Sequence, residues 1–344
     1  MRRIPLWAFV TGGVAVLLGV AVAVASVTPL DYLAFEPGPV YAIDDFVEVG
    51  DETSTLNGES FMLTVVYSDV TVLDALVAGF DPAVDLVARE AVRPTGVSDE
   101  EFRAQSLRSM EQSKQTAVYV ALTRLGYDVE ISGEGVSVEA VIEGTGAQGV
   151  LQVGDVVTSI NGVQVRQHPE AVTEIFKHAV GDVLLMRVIR GVGTESEEEL
   201  DLEVELVEHT QEAGRPMVGF LAGTYNWGFS SPVDVTIDSG NIGGPSAGLM
   251  YTLTILDLLS DEDLLGGRVI AGSGTIDRFG AVGPIGGIRQ KVVAAARQGA
   301  EVVFVPEANW DDALSAPVDV ELVKVATIDD ALAWLGASAF AATG

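Results

Sequence analysis

Apolar positions change their spacing several times along this chain, and each change predicts a different element. Residues 4–30, "IPLWAFVTGGVAVLLGVAVAVASVTPL", carry no charge at all. That run is long enough to cross a hydrocarbon core of about 30 Å at about 1.5 Å per residue, which predicts a transmembrane helix. "EPGPVYAI" then reads as an extended, proline-punctuated linker, and "SFMLTVVYS" (60–68), partly alternating and β-branched, as a strand. Over 98–124 the period lengthens: Ser98 suits an N-cap, acidic residues fill the first turn, and Leu107, Met110, Ala117 and Ala121 recur near helical spacing. Short valine-rich runs broken by Gly and an Asn-Gly turn over 143–165 predict a small β-rich module. "HPEAVTEIFKHAV" adds a short helix and "DVLLMRVIRG" a further strand. From about 215 strands and helices alternate: "SPVDVTI", a helix over 245–259, "GRVIAGSGTI", a helix over 285–298, "AEVVFVP", "VELVKV" and the helix "DDALAWLG". Such alternation indicates helices packed on a sheet.

Charge orients the ends of this pattern and removes some functions. Arg2 and Arg3 precede the apolar run, the next basic residue is Arg89, and Asp31 follows the run at once, so the positive-inside bias leaves the tip in the cytoplasm and the bulk outside. A cleaved signal peptide ending near "AVA" (23–25) is the alternative, although the run exceeds the usual apolar region of such peptides. With 344 residues, 48% of them hydrophobic, the chain can build two or three cores. A formal net charge of -31 argues against nucleic-acid partners, since no basic run is present to neutralise phosphates. No cysteine is present, which removes disulfides, thiolate metal sites and cysteine nucleophiles. No cofactor or metal is expected.

Candidate chemistry centres on "GNIGGPSAGLMYTLTILDLL" (240–259), where Ser246 fits a G-x-S-x-G pattern. A nucleophile elbow of the α/β-hydrolase kind needs a histidine later in the chain. His168, His178 and His209 all precede Ser246. A serine hydroxyl still requires a base. Lysine can serve when an apolar setting disfavours its charged form. Of only four lysines, Lys291 lies in "GPIGGIRQKVVAAARQGA", beside the stripe Ile288, Val292 and Ala295; Gly286 and Gly287 mark a helix start, Gly299 its end, and Arg289 and Arg297 are free to face solvent.

Taken together, "GGPSAG" followed about 45 residues later by "GPIGGIRQKVVAA" resembles the proteolytic domain of the Lon proteases. The resemblance implies a Ser/Lys dyad with Ser246 as nucleophile and Lys291 as general base. The family's threonine beside the lysine corresponds to Ser273 in "AGSGTID", which keeps the hydroxyl, whereas the family's acidic residue three places before the serine is Gly243 here. Gly244, Pro245 and Ala247 would support the site, Pro245 in the first turn of the serine helix, with backbone amides there stabilising the oxyanion. "GVLQVGDVVTSINGVQV" resembles a bacterial PDZ domain, whose ligands add as a strand beside a groove. Its carboxylate loop would be Gly133–Val138, with Gly135, Val136 and Val138 on the peptide and Val172 on the flanking helix.

"MEQSKQTAVYVAL" (110–122) resembles an early helix of the Lon proteolytic domain, so the PDZ module would be inserted into the protease. The expected organisation is 1–35 for tip, transmembrane helix and linker, 36–124 for the first part of an α+β Lon-type domain, 125–208 for the PDZ module and 209–344 for the catalytic part. No G-x-x-x-x-G-K-[ST] phosphate loop is present. The resemblance thus implies a membrane-anchored, single-pass, ATP-independent serine endopeptidase whose domains lie outside the cytoplasm. It would cut unfolded or flexible proteins, take peptide C-termini in the PDZ groove and associate as a homo-oligomer. The alternative is a catalytically inactive PDZ adaptor or chaperone that binds peptides without cleaving them.

Overall fold

A computed structural model describes residues 6–50, 56–93, 96–209, 212 and 214–337, except the side chains of residues 6–10 and 12. The chain divides into two units, one built from residues 1–127 and 233–344, the other from 128–232.

In the first unit the period-two strands assemble into a six-stranded mixed sheet. Its order is Glu321–Val325, Val302–Pro306, Val269–Gly272, Glu59–Thr71, Pro29–Ala42 and Asp85–Ala88. The first four run parallel, and Pro29–Ala42 pairs antiparallel with both its neighbours, Glu59–Thr71 and Asp85–Ala88. Val302–Pro306, "VVFVP", is buried at every position, as a strand covered on both faces must be. Alternation assigns those faces. Phe61, Leu63, Ala271, Val303 and Val305 pack against Ile288, Val292 and Ala295 of the helix Ile288–Gln298, which carries Lys291. On the opposite face lies the helix Gly248–Leu259, which follows Ser246: its Tyr251 hydroxyl meets Met62 Sδ at 3.6 Å and its Thr254 meets Ser60 at 2.9 Å. The helix that follows Ser246 and the helix that carries Lys291 therefore cover opposite faces of one sheet.

The helix Asp99–Arg124 starts as its sequence predicts. Ser98 and Glu101 form a reciprocal capping box, and Met110, Ser113, Ala117, Val120 and Ala121 are buried, the helix packing against Gly248–Leu259. "EPGPVYAI" departs from expectation: instead of a linker it belongs to the strand Pro29–Ala42. Its prolines are tolerated because the register shifts between Pro37 and Val40, a bulge where the ladder needs fewer donors.

A 20-residue helix, Leu6–Ala25, precedes that strand. Among the described residues no helix is long and apolar enough to cross a membrane, so the expected transmembrane helix finds no support there. The expected cytoplasmic tip, ahead of the run at 4–30, lies outside the described residues.

The second unit is an antiparallel sheet in the order Glu198–Glu205, Val183–Arg190, Val156–Ile160, Gly135–Val141 and Phe220–Tyr225, with the helix His168–Ile175 against it. Val136, Val157, Ile160, Leu184, Met186 and Val188 form its core. Asp155, buried at its margin, is paired with Arg190 at 2.7 Å.

Candidate active site

The expected strand "GRVIAGSGTI" breaks into Val269–Gly272 and Thr275–Ile276, and the break creates the site. A side chain at Gly272 would crowd its neighbours, because a Cβ there would lie 3.1 Å from Phe304 Cβ and closer still to Met250. Ser273, the first residue beyond the strand, is fully buried, and its hydroxyl donates to Ser246 O at 3.0 Å while Gly274 N donates to the same carbonyl at 2.9 Å. The carboxyl end of a parallel strand, where ligands commonly bind in open sheets of this kind, thus grips the serine loop from below.

The lysine arrives from the other face. Gly287 adopts the left-handed conformation (φ 66°) as N-cap, with Val65 2.6 Å from where a Cβ would sit, and Lys291 N donates to Gly287 O at 3.0 Å in the first turn. Lys291 is 3% exposed, and its Nζ reaches Ser246 Oγ at 2.8 Å and Ser273 Oγ at 2.9 Å. Burial is the cause that pushes its pKa down to about 7. Both partners are neutral hydroxyls, so neither holds the ammonium charged. Ser246 itself is half-buried, at the wall of a cleft of about 660 Å³ lined also by Tyr67, Phe102, Leu107, Met110 and Ile242. An amine that can be neutral near pH 7, held within hydrogen-bond distance of an accessible hydroxyl, is able to take its proton.

The loop before Ser246 is held by the helix Asp99–Arg124, distant from it in sequence. Gly244 (φ 92°) donates its N–H to Ser106 O at 2.8 Å, and Ser113 Oγ donates to Pro245 O at 2.9 Å. Nothing in the sequence marked Ser106 or Ser113. Pro245 lies outside the helix rather than in its first turn, since the helix begins at Gly248 with Ala247, buried, as N-cap. The glycine at 243 has a steric reason: a Cβ there would come within 2.9 Å of Ser106 Oγ. Arg289, expected to face solvent, instead pairs with Asp85, while Arg297 is exposed.

In the second unit the expected peptide residues divide between a paired strand and the helix beside a groove. Gly135, Val136 and Val138 belong to a strand paired on both sides, with Val136 and Val138 buried, so no ligand strand can be added there. Glu198–Glu205 and Phe220–Tyr225 are the two edges of the sheet, and the helix lies beside the second. Between that strand and the helix His168–Ile175 lies a groove of about 270 Å³, lined by Val172, Ala171, Ile175, Phe176 and residues 216–222, with Val136 reaching it from the neighbouring strand. Gly219 (φ 99°) turns the chain into this strand where a Cβ would fall inside the Thr145 side chain. The run "MVGFLAG", apolar and broken by glycines, is the sequence signal for this strand; it lies within 209–344, the stretch expected to form the catalytic part.

Residues 229–335 match the family model of the Lon protease (S16) C-terminal proteolytic domain. A PDZ domain model matches residues 123–206, which stops short of the edge strand. A Lon protease of Campylobacter concisus is 36% identical over 94 residues, covering 26% of this chain and 11% of that protein. One from Phenylobacterium zucineum is 37% identical over 93 residues, 26% and 12% respectively. One from Methanosphaera stadtmanae is 33% identical over 106 residues, 29% and 13%. The matched stretch is thus about an eighth of the length of these Lon relatives. Among solved structures, the PDZ domain of an SdrC-like protein from Listeria innocua is 29% identical, covering 26% of this chain and 92% of that one with a TM-score of 0.22. The chain combines a Lon-type proteolytic domain with a PDZ domain in a mixed α/β structure.

Proposed function

We propose that this protein is a membrane-anchored serine endopeptidase that works without ATP, with Ser246 as nucleophile and Lys291 as general base. The observation that carries this is the buried lysine, held 2.8 Å from an accessible serine and, among the described residues, paired only with hydroxyls. Neutral Lys291 removes the Ser246 proton as Oγ attacks a peptide carbonyl, then returns it to the leaving amine; water hydrolyses the acyl-enzyme by the reverse relay. Ser273 orients Nζ from its other side. Because the Gly244 N–H is already given to Ser106, the oxyanion falls to amides nearer the helix start, those of Ser246 and Ala247, in a role typically worth about 2.7–4 kcal/mol per donor. A binding-only adaptor has no use for a buried lysine aimed at a serine.

The uncharged run at 4–30 serves as the anchor, with both units outside the cytoplasm. Unfolded or flexible chains are the substrates, since no phosphate-loop motif supplies an unfolding motor. Peptide tails add to the edge of Phe220–Tyr225, beside the helix His168–Ile175. The test is cleavage of an unfolded protein by the full-length enzyme and by Ser246→Ala and Lys291→Met. Each substitution is expected to lower the rate by roughly four orders of magnitude. Activity at the wild-type level in either variant sinks the proposal.

A further inference from the structure

The helix Val72–Ala78 rests against the sheet through one side only, with Val72, Leu73, Ala75 and Ala78 half-buried. It has no buried residue, yet a full capping box between Thr71 and Asp74 starts it. Its sequence is apolar, and it presents Leu76 (60% exposed), Val77 (62%) and, just beyond its end, Phe80 (89%) to the outside. Side chains of this size standing open together mark a surface that meets something apolar. Its position says what. The apolar helix Leu6–Ala25 ends beside it: Thr28 N bonds back to Val24 O, and Thr28 O accepts from Val72 N at 3.0 Å, the residue that opens the short helix. On the long helix, Val16, Leu17, Leu18, Val20, Val22 and Val24 are all more than half exposed, so these too lack a covering from this chain. Two apolar segments with uncovered sides thus meet end to end, while the polar pairs Arg89–Asp69 and Arg89–Asp31 tie the first strand, Pro29–Ala42, to the following ones.

We infer that Leu76, Val77 and Phe80 dip into the bilayer at the boundary between headgroups and acyl chains, as a second, shallow membrane contact beside the anchor. The inference rests on the anchor reading above. The contact fixes how the first unit meets the membrane, because one helix alone leaves the body free to swing whereas two points on one unit do not. A net charge of -31 gives no electrostatic attraction to an anionic surface, so the contact is apolar in origin.

Absence of cysteine makes the test direct. Single-cysteine variants Phe80→Cys, Leu76→Cys, Leu17→Cys and Phe279→Cys of the full chain carry an environment-sensitive fluorophore and are reconstituted in phosphatidylcholine vesicles. Phe279, 76% exposed on another part of the first unit, is the comparison. Lipids brominated near the headgroup are expected to quench the labels at 76 and 80 more than lipids brominated at the chain ends. The order reverses at 17, and the label at 279 is unquenched. Quenching at 17 without quenching at 76 and 80 overturns the inference and leaves the anchor standing. No quenching at 17 removes the anchor reading itself. Labels at 80 that shift to the blue but respond to a second labelled copy rather than to lipid assign the patch to self-association and also overturn it.

Discussion

Lys291 is a strained choice for an interior, and its strain is measurable apart from catalysis. Its pKa falls from 10.5 to about 7 through burial, so below pH 7 both folded and unfolded chains hold the proton and the fold bears the full penalty. Between 7 and 10.5 the unfolded chain binds more protons than the folded one, so stability rises with pH across that window. Lys291→Met, similar in length and uncharged, is therefore expected to abolish cleavage and yet stabilise the protein at neutral pH by up to about 4 kcal/mol. Denaturant titrations should show that gain shrinking as pH approaches 10.5; a gain independent of pH refutes the burial account. In the active enzyme, kcat/KM should rise with loss of one proton near pH 7. Ser273→Ala removes one of two hydroxyls on Nζ and is expected to cost about tenfold to a hundredfold in kcat, with Ser273→Thr restoring most of it. At this scale the sequence was informative because lysines are scarce and Ser246 lacks a later histidine. Ser106 and Ser113 were silent, since a serine that holds a carbonyl looks like any other serine on a helix.

Elements are where local pattern and tertiary context part company. Capped helices, such as Asp99–Arg124, are legible because capping boxes act within a few residues. The strand Pro29–Ala42 was hidden by its prolines, whose tolerance depends on a bulge set by the partner strand, and Phe220–Tyr225 was hidden because a short glycine-broken apolar run has no period of its own. Two glycines test the element-level account. Gly287→Val puts a branched side chain into a left-handed position against Val65 and is expected to cost about 1–3 kcal/mol in backbone strain, seen by denaturation, and to lower kcat by displacing the turn that carries Lys291. Gly219→Val blocks the turn into the edge strand. It should abolish binding of C-terminal peptides, measured by fluorescence polarisation, while cleavage of short unfolded peptides continues.

For the molecule as a whole, charge is the broadest feature. A field from a net charge of -31 should favour cationic unfolded substrates over anionic ones of matched length at low ionic strength. The preference should fade by roughly 1 M salt, where the screening length is about 3 Å; rates insensitive to salt would tie selection to the cleft alone. The sheet carries a second lesson. Glu59–Thr71 is the direct neighbour of Val269–Gly272, so the matched proteolytic stretch beginning at 229 lacks a strand its own sheet requires, and the earlier segment is part of the same core. Serine and lysine reach each other only after helices on opposite faces have both closed over that sheet. Until then the lysine is an ordinary solvated ammonium and the serine an ordinary alcohol. On the proposed mechanism, a chain still being synthesised, or one that has lost its tertiary structure, is therefore chemically inert towards its neighbours. Completion of the fold is the switch that arms it.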